Sequence, residues 1–146
     1  MPKRHTITPP TTRGAFSHWT SVTIRFCDQD PLGHVNNAAM AAYFEQARVA
    51  LIYPLIRAKG GPGLELVIAR LVIDYLEELS YPGTVEIGSR VARLGTKSLT
   101  LGHGIFKDGG ERCLATAECI LVFFDVARRA SVAPPPDLRQ ALEALA

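Results

Sequence analysis

Two aspartates, a histidine and two asparagines crowd one short segment: Cys27-Asp28-Gln29-Asp30-Pro31-Leu32-Gly33-His34-Val35-Asn36-Asn37. Pro31 and Gly33 break regular structure, so a loop is expected here. An alanine-rich apolar run follows, and Asn36 or Asn37 can cap a helix at its start. A helix N-terminus presents unpaired N–H groups and a partial positive charge. Such donors polarise a carbonyl and hold the negative charge that develops on its oxygen. A carboxylate a few residues upstream can then act on the carbonyl carbon, and Asp30 has that spacing. A thioester suits so sparse a site, because a thiol of pKa roughly 8.5 leaves without a strong general acid.

The neighbouring polar groups divide between chemical and structural readings. His34 is the one histidine of the loop and a candidate general base, although a hydrogen-bonded loop residue is the commoner role. Asp28 is read as fixing the loop. The D-x-D pair has no further ligands at metal-binding spacing. Asn36 and Asn37 do not titrate and are read as caps. Glu45 and Arg48 form either a plain i,i+3 pair or a pair facing a partner or the site. His103 is expected as a satisfied core histidine. Cys27 lacks an assigned base and is expected to be an inert small apolar residue. Ser98 has no G-x-S-x-G setting. Lys97, Arg128 and Arg129 are candidate phosphate contacts, with solvated charge as the plain alternative.

The elements that position these groups follow from the hydrophobic period. Residues 19–26 alternate as a strand. Residues 37–59 are helical and nearly without a polar stripe, so burial on almost every side is expected, with Pro54 kinking or ending the helix. From there the period becomes two. Residues 66–78 place Val67, Ala69, Leu71, Ile73 and Tyr75 on one face. Further strands are expected over 84–94, 98–107 and 112–125, the last central in the sheet. Turns at Pro82-Gly83, Gly95-Thr96-Lys97 and Asp108-Gly109-Gly110 suggest successive hairpins. Pro134-Pro135-Pro136 precedes a short final helix that Asp137 can cap. Residues 1–17, rich in Pro and Thr, are expected as a mobile lead, and 18–146 as one domain. The single helix needs cover and a single sheet is on hand. The fold class is therefore α+β, with a curved antiparallel sheet wrapped around a long helix.

Composition narrows the partners. The chain has 146 residues, 47% hydrophobic and 21% charged, enough for one core. Its net charge of +2 is too small to argue for nucleic acid. No apolar run is long enough to span a membrane, and no secretory h-region follows Lys3 and Arg4. Three cysteines without CxxC spacing indicate neither a disulfide framework nor zinc, so a reducing cytoplasm is expected.

The block Asp28-x-Asp30-x-x-Gly33-His34-Val35-Asn36-Asn37, followed by Tyr43-Phe44-Glu45-x-Ala47-Arg48, resembles the signature of the 4-hydroxybenzoyl-CoA thioesterase family of hotdog proteins. The likeness continues weakly through Tyr81-Pro82-Gly83, Lys97-Ser98 and the Pro-rich entry to the last helix. It implies a hotdog fold, a five-stranded antiparallel sheet around a long central helix, assembled as a homodimer or homotetramer. Acyl-CoA hydrolysis at the subunit interface is implied, with coenzyme A only as part of the substrate and no cofactor or metal. Asp30 maps onto the family's catalytic aspartate, acting as nucleophile or base, and the amide near Asn37 onto its carbonyl-polarising donor. His34 is carried as a further catalytic candidate. Gly33, Val35, Asn36, Met40, Glu45, Lys97 and Ser98 are the expected substrate contacts. Met40 stands near the acyl pocket, where many relatives carry Tyr. Two rival readings are a hotdog dehydratase or hydratase, which needs a histidine positioned with a carboxylate, and a non-catalytic acyl-CoA-binding module.

Overall fold

A computed structural model describes residues 6–146. Its long helix α1 spans Asn37–Lys59, the limits expected from sequence. Asn36 is the cap, its Oδ1 accepting from the Ala38 N–H at 2.7 Å. At the other end the Gly60 N–H donates to Ile56 O, and a Cβ on Gly60 would come within 2.6 Å of that same oxygen. Pro54 does not end the helix. It and Ala50, the residue one turn earlier, are both exposed, so the carbonyl left without a donor faces water. Burial is also narrower than expected. Met40, Phe44, Ala47, Ile52 and Ile56 are buried, whereas Val49 and Tyr53 on the opposite face are exposed. One sheet covers only one side of the cylinder.

The strands are β1 (His18–Thr23), β2 (Leu64–Tyr75), β3 (Thr84–Leu94), β4 (Ser98–Lys107), β5 (Cys113–Asp125) and the two-residue β6 (Ala130–Ser131). They run antiparallel in the order β1-β3-β4-β5-β2, with β6 added to the end of β5. This is the expected hotdog arrangement of a long helix against a curled sheet. The connections differ from the expected run of hairpins. The β3–β4 and β4–β5 links are hairpins, but the chain crosses the whole sheet from β2, beside β5, to β3, beside β1. Pro82-Gly83 signals a reversal and says nothing about which strand becomes the neighbour.

A bulge at Ala69 corrects the face assigned to β2. The register jumps from Ile68↔Leu121 to Arg70↔Ile120, and one extra residue exchanges the two faces of a strand. Leu66 therefore packs inward before the bulge and Leu71 and Ile73 after it, while Val67 is exposed. Strand β5 is central and buried along most of its length, as expected.

The concave interior holds two apolar clusters. One gathers Val35, Met40, Tyr43, Phe44, Leu79, Ile87 and Ile105 near the start of α1. The other gathers Ile52, Ile56, Val91, Leu101, Phe123, Leu138 and Leu142 near its end. Between them in register lie Ser89 on β3 and His103 on β4, paired across the ladder. A final helix α2, Pro136–Glu143, seals the second cluster with Leu138 and Leu142. It begins one residue before the expected cap: Pro135 occupies the cap position and Asp137 lies in the first turn, where its charge suits the helix dipole.

The lead is not free of the fold. Phe16 is buried on the convex side of the sheet, against Gly88 and Gly104, where added Cβ atoms would lie 2.6 Å and 2.9 Å from its ring. Arg13 pairs with Glu86 and stacks 4.6 Å over the Trp19 ring. Residues 1–5 of the expected mobile lead lie outside the described residues.

Candidate active site

The loop from β1 to α1 is held by its own backbone. The Asp30 N–H donates to His34 O at 2.9 Å, and the Gly33 N–H donates to Asp30 O at 3.0 Å. Gly33 adopts φ of +83°, a left-handed conformation that glycine takes without strain. The Val35 N–H reaches Leu79 O at 2.7 Å, anchoring the loop to the segment after β2. Asp28 roots the loop, as expected. It is buried, and its carboxylate accepts from the Arg25 N–H, the Arg25 guanidinium and the Tyr43 hydroxyl. Burial pushes its pKa upward, but these hydrogen bonds outweigh burial and hold it below the usual carboxylate range. Burial, and then Asp28, drive the Tyr43 phenol well above its ordinary value, so it stays a donor.

These contacts shape a cleft of about 400 Å³ lined by Asp30, His34, Asn36, Asn37, Met40 and Tyr75. Leu32, Val35 and residues 76–79 complete its wall. Asp30 Oδ1 accepts from the Leu32 N–H at 2.9 Å, and among the described residues Oδ2 has no protein partner. At the tip of α1 the Ala38 N–H is taken by Asn36 Oδ1 and the Met40 N–H by Asn36 O. Among the described residues the Asn37 N–H has no partner, whereas its carbonyl accepts from the Tyr75 hydroxyl at 3.0 Å. One cleft is thus lined both by Asp30, whose carboxylate keeps one oxygen free of the described protein groups, and by Asn37, whose N–H has no partner among the described residues. His34 Nε2 lies 3.0 Å from Glu78 Oε2, so its ring pairs with a carboxylate rather than with backbone.

Glu45, Lys97 and Ser98 are not brought to this cleft within one chain. Glu45 is exposed, pairs with Arg48 at 3.3 Å, and borders a separate groove of about 300 Å³ along α1 and β2. Lys97 ends the β3–β4 turn, where its carbonyl accepts from the Phe123 N–H, and Ser98 is the first residue of β4. Arg128 and Arg129 sit on the β5–β6 turn. Cys27, expected to be a small apolar filler, is exposed. His103 is fully buried as expected but only half satisfied. Its Nδ1 meets Ser89 Oγ at 2.8 Å, and Nε2 has no partner among the described residues. Burial, aided by the charge of Arg48, pushes its pKa down to about 3.

Tyr75 and Glu78 carry no signal of a site role in the sequence. The period of two runs their segment on as strand to residue 78, whereas β2 ends at Tyr75 and the chain turns toward the loop. The buried Leu79 is the available signal that this segment packs against something. Among the described residues no group of three His, Cys, Asp or Glu side chains could hold a metal ion, and no helix is long and apolar enough to cross a membrane.

Known proteins share this fold. The chain is similar to the PA5185 protein of Pseudomonas aeruginosa PAO1, with 30% identity over 94% of this chain and 96% of that one and a TM-score of 0.81. It is also similar to a thioesterase from Thermus thermophilus complexed with coenzyme A and zinc, at 30% identity, 87% and 92% coverage and a TM-score of 0.73. YsmA of Bacillus subtilis (strain 168), an uncharacterized protein, is 29% identical over 103 residues, 70% of each chain. The family model of the thioesterase-like superfamily matches residues 24–142. With most of its length so matched, and with the helix and curled sheet described above, the chain belongs to the thioesterase-like superfamily.

Proposed function

We propose that this protein hydrolyses acyl-CoA thioesters to the free acid and coenzyme A, as the 4-hydroxybenzoyl-CoA thioesterases it resembles do. The observation that carries the reading is the shared cleft of Asp30 and the unpartnered Asn37 amide. In this reading the thioester oxygen accepts from the Asn37 N–H. Asp30 either draws a proton from attacking water or attacks directly, giving a mixed anhydride that water then cleaves. Coenzyme A leaves as the thiolate. Gly33, Val35, Asn36 and Met40 shape the acyl end, and no metal or prosthetic group takes part.

The working unit is a homodimer in a reducing cytoplasm. Support comes from the exposed apolar side of α1, Val49 and Tyr53, beside the free edge strand β2 with its exposed Val67 and Ile68. A second copy covering this face would close the groove that Glu45 borders; Lys97 and Ser98 are assigned to coenzyme A by the family resemblance alone. Replacing Asp30→Asn tests the reading. Thiol release from a series of short, long and aromatic acyl-CoAs should fall by about three orders of magnitude with the fold intact. Retained hydrolysis would overturn it.

One observation favours a second reading. The His34–Glu78 pair, 3.0 Å apart, is the histidine with carboxylate that a hotdog hydratase needs. Both side chains are substantially exposed, which suits an ion pair at the mouth better than a proton relay. Water addition to an enoyl-CoA would decide for it. Tight binding without thiol release would decide for an acyl-CoA-binding module.

A further inference from the structure

Residues 29–35 form a small closed unit: Gln29 bridges Val35, and Asp30 bonds back to His34. Such a unit moves as one piece about its two ends, residues 28 and 36. Those ends are joined directly, because the Asn36 N–H donates to Asp28 O at 2.8 Å. The Val35 N–H bond to Leu79 O ties the unit to the segment after β2, but toward α1 the single bond at Asn36 leaves a hinge. The second attachment is made by the Asp28 side chain. Its Oδ2 accepts from the Tyr43 hydroxyl at 2.5 Å and from the Arg25 N–H at 2.9 Å. Its Oδ1 accepts from Arg25 Nε at 3.0 Å and Nη2 at 2.8 Å. Tyr43 lies seven residues, two helical turns, beyond Asn36 and on the same face of α1. One residue therefore grips the helix at its cap and again through its second turn. Two grips along an axis fix both the distance and the angle between the loop and the helix tip.

Resting on the hydrolytic reading, we propose that Asp28 and Tyr43 are positioning residues that hold the Asp30 carboxylate in register with the Asn37 amide. Neither touches the substrate. Asp28 has both carboxylate oxygens committed and is 3% exposed, so it is not available to attack or to bind a metal with Asp30. Tyr43 is likewise 3% exposed, with its hydroxyl spent on Asp28. The geometry they hold is sensitive, since a displacement of about 1 Å at a reacting centre costs on the order of a hundredfold in rate.

The test uses the full chain carrying Tyr43→Phe or Asp28→Asn. Thiol release is followed with hexanoyl-CoA and benzoyl-CoA, beside hydrogen exchange of the 29–38 segment. Tyr43→Phe removes one oxygen and keeps the ring in the core, so it remains informative should Asp28→Asn fail to fold. The expected result is a kcat lowered about tenfold by Tyr43→Phe and about a hundredfold by Asp28→Asn, with KM changed less than about threefold. The Val35 and Asn36 amides should exchange about tenfold faster, while amides of β4 keep their rates. A purely structural role would lower the melting temperature and leave kcat alone; that outcome overturns the proposal. If the native protein releases thiol from neither ester, hydrolysis of these substrates fails by itself. Unchanged exchange at residues 35 and 36 then overturns the positioning role separately.

Discussion

Acidification should weaken this protein well above the pH at which its carboxylates titrate, and His103 is the reason. The imidazole lies fully buried between the two apolar clusters, facing Phe44 of α1 with ring centroids 6.0 Å apart, Ser89 of β3 and the charge of Arg48. Its folded pKa is lowered to about 3, against 6.5 for the free side chain. The unfolded chain therefore binds a proton that the folded chain refuses. Stability is complete above the unfolded value and falls as pH drops toward the folded one. The slope approaches about 1.4 kcal/mol per pH unit, and between pH 7 and pH 5 the loss comes to about 2 kcal/mol. Asp28, whose pKa is held low, adds its own loss only at lower pH. The perturbation is the double replacement Ser89→Ala with His103→Leu, which removes both members of the buried pair and strands neither. Urea unfolding would be followed by Trp19 fluorescence at pH 7, 6 and 5 and at one protein concentration. Native protein should lose about 2 kcal/mol more over that range than the double variant, which loses only the part owed to groups both proteins share. An equal loss in the two would refute the argument, because the remaining histidines are common to both.

Other perturbations have equally definite outcomes. Asn36→Ala removes the cap from the Ala38 N–H and should cost about 1 kcal/mol in chemical denaturation. Gly88→Ala places a methyl 2.6 Å from Phe16 and should destabilise by about 1–3 kcal/mol, seen as a lower melting temperature. Leu79→Ala, at a site 2% exposed beneath the cleft, should cost about 2–5 kcal/mol by urea titration. Ile68→Glu places a charge on the exposed edge of β2; light scattering should then report a monomer, with thiol release lost alongside.

Legibility from sequence follows the range of the interactions. Helix α1 is readable to its end residues because Asn36 and Gly60 act locally, on amides and carbonyls within one turn. The inward set Val85, Ile87, Ser89 and Val91 is also readable, since β3 keeps its period of two that far. In β2 the same rule fails at Ala69, where a bulge depends on the register of β5. The packing of Phe16 is invisible for a related reason: its partners are glycines on two other strands, and a missing side chain leaves no apolar mark. At the candidate site, Asp30, His34, Asn36, Asn37 and Met40 are legible because one loop and one helix tip supply them. Glu78 and Tyr75 are not, because they arrive from a separate strand end far along the chain.

The polar seam of Ser89 and His103 divides the interior into two compartments, and that division has a practical meaning for engineering. Substitutions that tighten the distal compartment, where α2 docks, should raise heat resistance without stiffening the end that borders the candidate cleft. Changes in the proximal compartment, around Met40 and Leu79, bear on the candidate cleft and on heat resistance together. A search for more durable forms that leave the candidate cleft unchanged therefore begins at the end of the sheet where α2 docks.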